Sequence, residues 1–313
     1  MKKKLFFLAM AAFVAMSNIS CGSDSNDEGG PDNTPVTLPK PVYADEAVAF
    51  TLQKDNVSDK FVSLTGLNIT ESGKAVIEVT TDEGKKKFVS YDVKIEGDTY
   101  TISKNGKTMG KVINTTSMPK AAPTRASSSV NLVINLSVEI PFLGTFTFMT
   151  TNPVVAQKVV QTITSTVNTT NIARTWKVQQ MKLTCEGDVD ISKTENSGNL
   201  EVFVKEAQDR GANLTKVEEA ELSRTIYGIT LDKTGMFSIE YGDGTTEVCS
   251  WQWTSANQEQ LMLKLRDSEF GNKFLSNKSN IGVKFYAGGC TFTLTTNIVG
   301  SKNYKATLVI VMK

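Results

Sequence analysis

Any chemistry in this chain has to be done without histidine, since none occurs among its 313 residues. That removes the usual general base, the Ser-His-Asp and Cys-His arrangements, and histidine-bound zinc. Carboxylates remain. Asp243 and Glu247 stand four residues apart across a turn, and a carboxylate pair is what glycosidases use. A solvated hairpin turn explains the same two residues. Asp188, Asp190 and Ser192 resemble the start of a calcium loop, but Lys193 stands where the loop needs Gly and Asn199 where it needs its closing Glu. Neither a metal site nor a cofactor is expected. Cys185, Cys249 and Cys290 lack a histidine to activate them, and each sits beside apolar strand positions. They read as buried small hydrophobes, with one disulfide from Cys185 to Cys249 or Cys290 as the alternative. The aromatic residues Trp176, Phe237, Tyr241, Trp251 and Trp253 form a candidate ligand cavity. Packing inside a small barrel is the competing reading, because eight strands leave room for side chains or for one small ligand.

The elements that would position these residues are β-strands. Over Ile229–Leu265 the apolar positions recur every second residue. Phe237, Ile239 and Tyr241 share one face; Cys249, Trp251 and Trp253 share another; Leu261, Leu263 and Leu265 follow. Turns at Leu231-Asp-Lys-Thr-Gly235 and Gly242-Asp-Gly244 separate them. A fainter copy runs over Leu67–Ile102, where Ile69-Thr-Glu-Ser-Gly73 matches the first turn and Tyr91–Val93 takes the place of Trp251–Trp253. Further strands alternate over Leu132–Ile140 and through Phe146 and Phe148, giving about eight strands in each half. Asn152-Pro153 opens a helix reading over 153–168, with Val155, Val159, Ile163 and Val167 at i+4 spacing. Its β-branched content makes a strand the alternative. An insertion at Cys185–Arg224 carries a helix over Asn199–Arg210, with Leu200, Phe203, Val204 and Ala207 on one face. A second short helix opens at Thr215-Lys-Val-Glu218.

At the start of the chain, Lys2–Lys4 precedes an apolar run, Leu5–Met16, that is too short to span a bilayer, and Ser20-Cys21-Gly22 follows. This resembles a bacterial lipoprotein signal, with cleavage before Cys21 and a diacylglycerol on its thiol, although Asn18 departs from the usual apolar residue. Acyl chains would then anchor the protein. The acidic Ser23-Asp-Ser-Asn-Asp-Glu28 is similar to the tract with which Bacteroidetes export lipoproteins to the cell surface. The second half resembles the lipocalin-like domains of Bacteroidetes lipoproteins, through Trp176, Lys233-Thr-Gly235-Met-Phe237, Trp251-Gln-Trp253 and Leu261–Leu265. Arg174 stands where the Gly of a Gly-x-Trp motif belongs. The resemblance speaks to fold more than to ligand.

Formal net charge is +1, from 34 basic and 33 acidic residues; without the three lysines of the leader it is 31 against 33, or −2. With no basic patch interleaved with aromatics, nucleic acid is not an expected partner. The expectation is an all-β chain of two tandem antiparallel eight-stranded barrel or meander domains, the second lipocalin-like with a short helical insertion. Its parts are a signal peptide at 1–20, a tether at 21–41, β domains at 42–150 and 173–313, and a connecting helix or linker at 151–172. The expected role is that of an outer-membrane, cell-surface lipoprotein acting as a non-enzymatic binding module for a small apolar ligand, a glycan or an envelope partner. A structural envelope component with filled barrels, or a carboxylate hydrolase, is the alternative. Oligomeric state stays open.

Overall fold

The structure is a computed structural model. It describes residues 47–116, 128–159, 163–164, 166–186, 191–209, 223–265, 279–298 and 304–313. The leader, Cys21, the tether, Asp188, Asp190 and the expected helix after Thr215 lie outside these. The strands in chain order are β1 (Val48–Leu52), β2 (Val62–Ile69), β3 (Lys74–Thr81), β4 (Lys86–Glu96), β5 (Thr99–Lys104), β6 (Lys107–Asn114), β7 (Ser128–Ile140), β8 (Gly144–Met149) and β9 (Val154–Val159). A short helix, α1 (Val167–Ile172), comes before β10 (Thr175–Trp176), β11 (Val178–Glu186) and β12 (Ile191–Glu195). The helix α2 (Glu201–Asp209) precedes β13 (Ile226–Leu231), β14 (Met236–Tyr241), β15 (Thr246–Trp253), β16 (Gln260–Leu265), β17 (Ser279–Tyr286), β18 (Gly289–Ile298) and β19 (Tyr304–Met312). Two compact units emerge: Lys40–Thr175 with Thr230–Val248, and Trp176–Ile229 with Cys249–Lys313.

The first unit is a closed, up-and-down, antiparallel barrel. Each strand from β1 to β7 pairs with the next, and β9 pairs back onto β1 through Ala49–Val159 and Leu52–Ala156. The eighth stave is made in two pieces. β8 pairs with the second part of β7, from Asn135 to Ile140, and β9 with its first part, from Ser128 to Leu132. Val154–Val159 is therefore a strand, where the i+4 spacing suggested a helix. The β-branched residues that weaken a helix suit the pleat of a strand, and β1 and β7 supply the ladder partners that decide between the two.

Alternation decides which face goes inward. Along β7, Val130, Leu132, Ile134, Leu136, Val138 and Ile140 are buried, while Asn131, Asn135 and Glu139 are exposed. The inward residues of all staves merge into one apolar cluster. Phe50, Leu64, Ile77, Ile102, Leu136 and Phe148 in it are 2 % exposed or less. Side chains thus fill the lumen, the arrangement expected when a small barrel carries large apolar residues at its inward positions.

In the second unit the described pairings run β12, β11, β19, β18, β17, β16 and β15, all antiparallel. Met181, Leu183, Phe292, Leu308 and Ile310 are buried there. α2 forms where the amphipathic spacing placed it. The Asn199 side-chain oxygen accepts from the Glu201 N–H at 3.0 Å, and Phe203 and Val204 turn inward.

Candidate functional site

The two turns matched in the sequence share one backbone geometry. The Thr70 N–H donates to the Lys74 carbonyl at 2.8 Å and the Asp232 N–H to the Met236 carbonyl at 3.0 Å. Gly73 and Gly235 sit at φ 79° and 83°, the left-handed position that closes a three-residue hairpin loop and suits glycine. The first side chain caps each turn: Thr70 Oγ1 accepts from the Lys74 N–H at 3.0 Å, and Asp232 Oδ1 from the Met236 N–H at 3.1 Å.

Within the first unit these two turns lock onto each other. Glu71 and Lys233, equivalent positions, form an ion pair at 2.8 Å with side chains 7 % and 15 % exposed. Asn68 Nδ2 donates to Thr234 Oγ1 at 2.9 Å. Reciprocally, Ser72 (the equivalent of Thr234) reaches Thr230 (the equivalent of Asn68) through the Thr175 hydroxyl, with both contacts at 2.9 Å. Residue i meets j while j's counterpart meets i's, which is the pattern of an isologous contact between two copies of one motif. Below the turns, Val76 and Phe88 pack with Met236 and Val248 as a small apolar cluster on the outer face of the barrel. Lys74 bridges Asp92 at 2.9 Å and Glu240 at 3.5 Å. Burial pulls down the Lys74 pKa, but Glu240 and Asp92 together outweigh it and hold it above the usual 10.5.

The barrel end opposite these turns carries Phe61, Phe142 and Leu143 among the exposed large apolar residues of the first unit, with Ile113, Met149, Val155 and Val167 exposed elsewhere on it. By strand direction it collects the β1–β2 loop, the β3–β4 and β5–β6 turns and the β7–β8 tip. Val57, 3 % exposed, folds inward from the β1–β2 loop, and its carbonyl accepts from the Leu64 N–H at 2.9 Å. Phe61 at the end of that loop is 53 % exposed, with Lys60 Nζ 5.4 Å from its ring centroid. At the tip, Pro141-Phe-Leu-Gly144, Phe142 is 90 % and Leu143 47 % exposed. Phe142 adopts φ 67°, a left-handed conformation uncommon for a bulky residue. The strand behind it is held firmly. The Tyr91 hydroxyl, inside the barrel, donates to the Glu139 carbonyl at 3.1 Å and accepts from the Glu139 N–H at 2.8 Å. Burial pushes the Tyr91 phenol above its usual 10.0, against the pull of the backbone N–H it accepts from. Lys104 bonds the Glu139 carboxylate at 2.9 Å and holds its pKa below the usual value.

The residues singled out in the sequence divide between the units. Phe237 and Tyr241 belong to the first unit, each 3 % exposed, and the Tyr241 hydroxyl donates to Glu247 at 3.2 Å. Trp176, Trp251 and Trp253 belong to the second. There, Trp251 and Trp253 meet edge to face with centroids 5.5 Å apart; Trp176 and Trp251 are buried and Trp253 half-buried. Asp243 Oδ1 caps its own turn, accepting from the Thr245 N–H at 2.9 Å and the Thr245 hydroxyl at 2.6 Å. Asp243 and Glu247 thus each serve the hairpin they sit on. Cys185, Cys249 and Cys290 are buried thiols, and none is in a disulfide. Lys193 pairs with Glu206 at 3.3 Å. Among the described residues no three Cys, Asp or Glu side chains are grouped to hold a metal, and no helix is long and apolar enough to cross a membrane. The exposed tip was missed in the sequence, although two large apolar residues inside a Pro- and Gly-bounded turn are an available signal. No family model matches the chain, and no curated protein does.

Proposed function

We propose that this protein is a lipid-anchored envelope protein, held at the outer membrane through Cys21 and presented on the cell surface, and that it works as a non-enzymatic binding module. The observation that carries the mode of binding is the filled lumen of the first barrel, with Leu64, Ile77, Ile102 and Leu136 at 0 % exposure. A lumen closed by its own side chains directs recognition to the outer surface, and the barrel end that exposes Phe61, Phe142 and Leu143 is an apolar surface on offer there. The lipoprotein-like leader and the likeness of the second half to lipocalin-like domains support the setting.

The test is native mass spectrometry and lipid extraction of the acylated chain purified from its own host, with cross-linking in intact cells beforehand. The expected result is an acylated mass without a retained small molecule, and cross-links to an envelope component. A stoichiometric apolar molecule released only on unfolding would sink the surface mode. A second reading has its own observation: Trp253 is half-buried against the buried Trp251, a ring placed to stack on a glycan or an apolar ligand. Under that reading Trp253→Ala abolishes retention of the co-purifying molecule while the fold stays intact.

A further inference from the structure

We propose that Phe142 and Leu143, with Phe61 at the same end of the barrel, are a membrane-contacting tip that enters the headgroup–acyl boundary of a lipid bilayer. The inference rests on the envelope reading above, which supplies the bilayer. Three observations choose a bilayer as the occupant. First, the apolar side chains stand on a hairpin tip and a loop end, with Phe142 exposed at 90 % and Leu143 at 47 %. Projecting side chains suit a deformable medium, whereas a rigid protein partner would need a groove shaped to them. Second, Phe142 is held at φ 67° by a turn in which Leu143 N–H donates to the Ile140 carbonyl at 3.1 Å. A solvated phenylalanine in a left-handed conformation costs stability through its backbone and gains nothing from burial, as residues kept for contact do. Third, charges of both signs are interspersed around this end, with Lys54, Lys60, Lys85, Lys104 and Lys107 beside Asp55, Asp59, Asp82, Glu83 and Glu139, so no patch of one sign faces out. Electrostatic steering is therefore weak, and the apolar side chains must carry the contact.

The size of the tip fits a protein already at the membrane. Full burial of one large apolar side chain is worth roughly a 10- to 100-fold change in partitioning. That is too little to hold a free protein, but enough for one whose anchor supplies a high local concentration. Reach is sufficient. From Cys21 to Ala47 there are 47 − 21 = 26 residue steps, which can span up to about 86 Å. The thirteen residues of β7 extend at most about 43 Å, so a chain joining the barrel at its other end can still lay this end on the same bilayer.

The test uses the full acylated chain in phosphatidylcholine vesicles. An environment-sensitive fluorophore is placed on Leu143→Cys or, at the opposite end of the barrel, on Asp98→Cys. The expected result is blue-shifted emission at position 143, quenched by brominated lipid, with water-like emission at position 98. Phe142→Ser should reduce the quenching at least tenfold, and salt should leave it unchanged. Water-like emission at both positions, in chains that float with the vesicles, overturns the proposal. So does protection of position 143 in cells by a protein cross-link that vesicles do not reproduce. Chains that fail to float overturn the anchor instead. The tip is then judged on a Cys21→Ala chain held to nickel-chelating phosphatidylcholine vesicles by an N-terminal histidine tag, where water-like emission at position 143 overturns it.

Discussion

Replacing Lys233 with methionine leaves the Glu71 carboxylate, 7 % exposed, without the ammonium 2.8 Å away. At an effective dielectric near 20, two charges at that separation attract by about 6 kcal/mol, most of it offset by desolvation. The net value of the pair is small, but the cost of removing one partner is not, because the remaining buried charge loses its counter-ion. Lys233→Met and Glu71→Gln should each destabilise the first unit by about 3 kcal/mol. The double variant removes both charges and should cost about 2 kcal/mol less than the sum, which is the signature of direct coupling. Urea unfolding followed by far-UV circular dichroism gives the three values, with the slope held constant as a check that the denatured state is unchanged. Hydrogen exchange locates the effect: amides of the turn at Asp232 and Gly235 should lose protection in each single variant before those of β7 do. Single-variant costs below about 1 kcal/mol, with an additive double variant, would refute the reasoning and leave the two turns merely adjacent.

Other outcomes test the same structure. Leu136→Ala, at 0 % exposure inside the barrel, should cost about 3 kcal/mol in urea unfolding; a cost under about 1 kcal/mol would mean the lumen is not packed. Gly110 has φ 151°, and a Cβ there would lie 2.1 Å from the Asn135 carbonyl oxygen, so Gly110→Ala should destabilise by about 3 kcal/mol; an unchanged melting temperature rejects the β6–β7 register. Asn tolerates the left-handed region, so Phe142→Asn should stabilise the chain by about 0.5–1 kcal/mol, and a lowered melting temperature argues against the positive φ. The pKa values of Lys74 and Tyr91 are raised above their ordinary 10.5 and 10.0. A raised folded-state value means the native state holds its proton longer. Their contribution is therefore complete below about pH 10 and declines as pH rises through the folded-state values. Lys74→Met should flatten that alkaline decline, and a wild-type stability that does not fall as pH rises past the ordinary 10.0 and 10.5 contradicts the shifts.

Much of the fold was legible from local pattern. The alternation of β7 from Leu132 to Ile140 predicted its inward face residue by residue, because side chains in a pleated strand have a period of two. Gly73 and Gly235 marked their turns, since the position demands φ > 0. Leu200, Phe203 and Val204 predicted the buried side of α2. Val154–Val159 was less legible. Its spacing fits a helix, and only β1 and β7, far away in sequence, make it a strand.

The sequence by itself determined the strand-rich class, the turn positions, the inward faces and the absence of histidine chemistry, because each follows from residue type and spacing along a few neighbours. Tertiary structure alone decided that the barrel closes through β9 onto β1, that Thr230–Val248 joins the unit of Lys40–Thr175, and that Glu71 meets Lys233. Those outcomes depend on which surfaces meet across more than a hundred residues, and no local period encodes a partner at that distance.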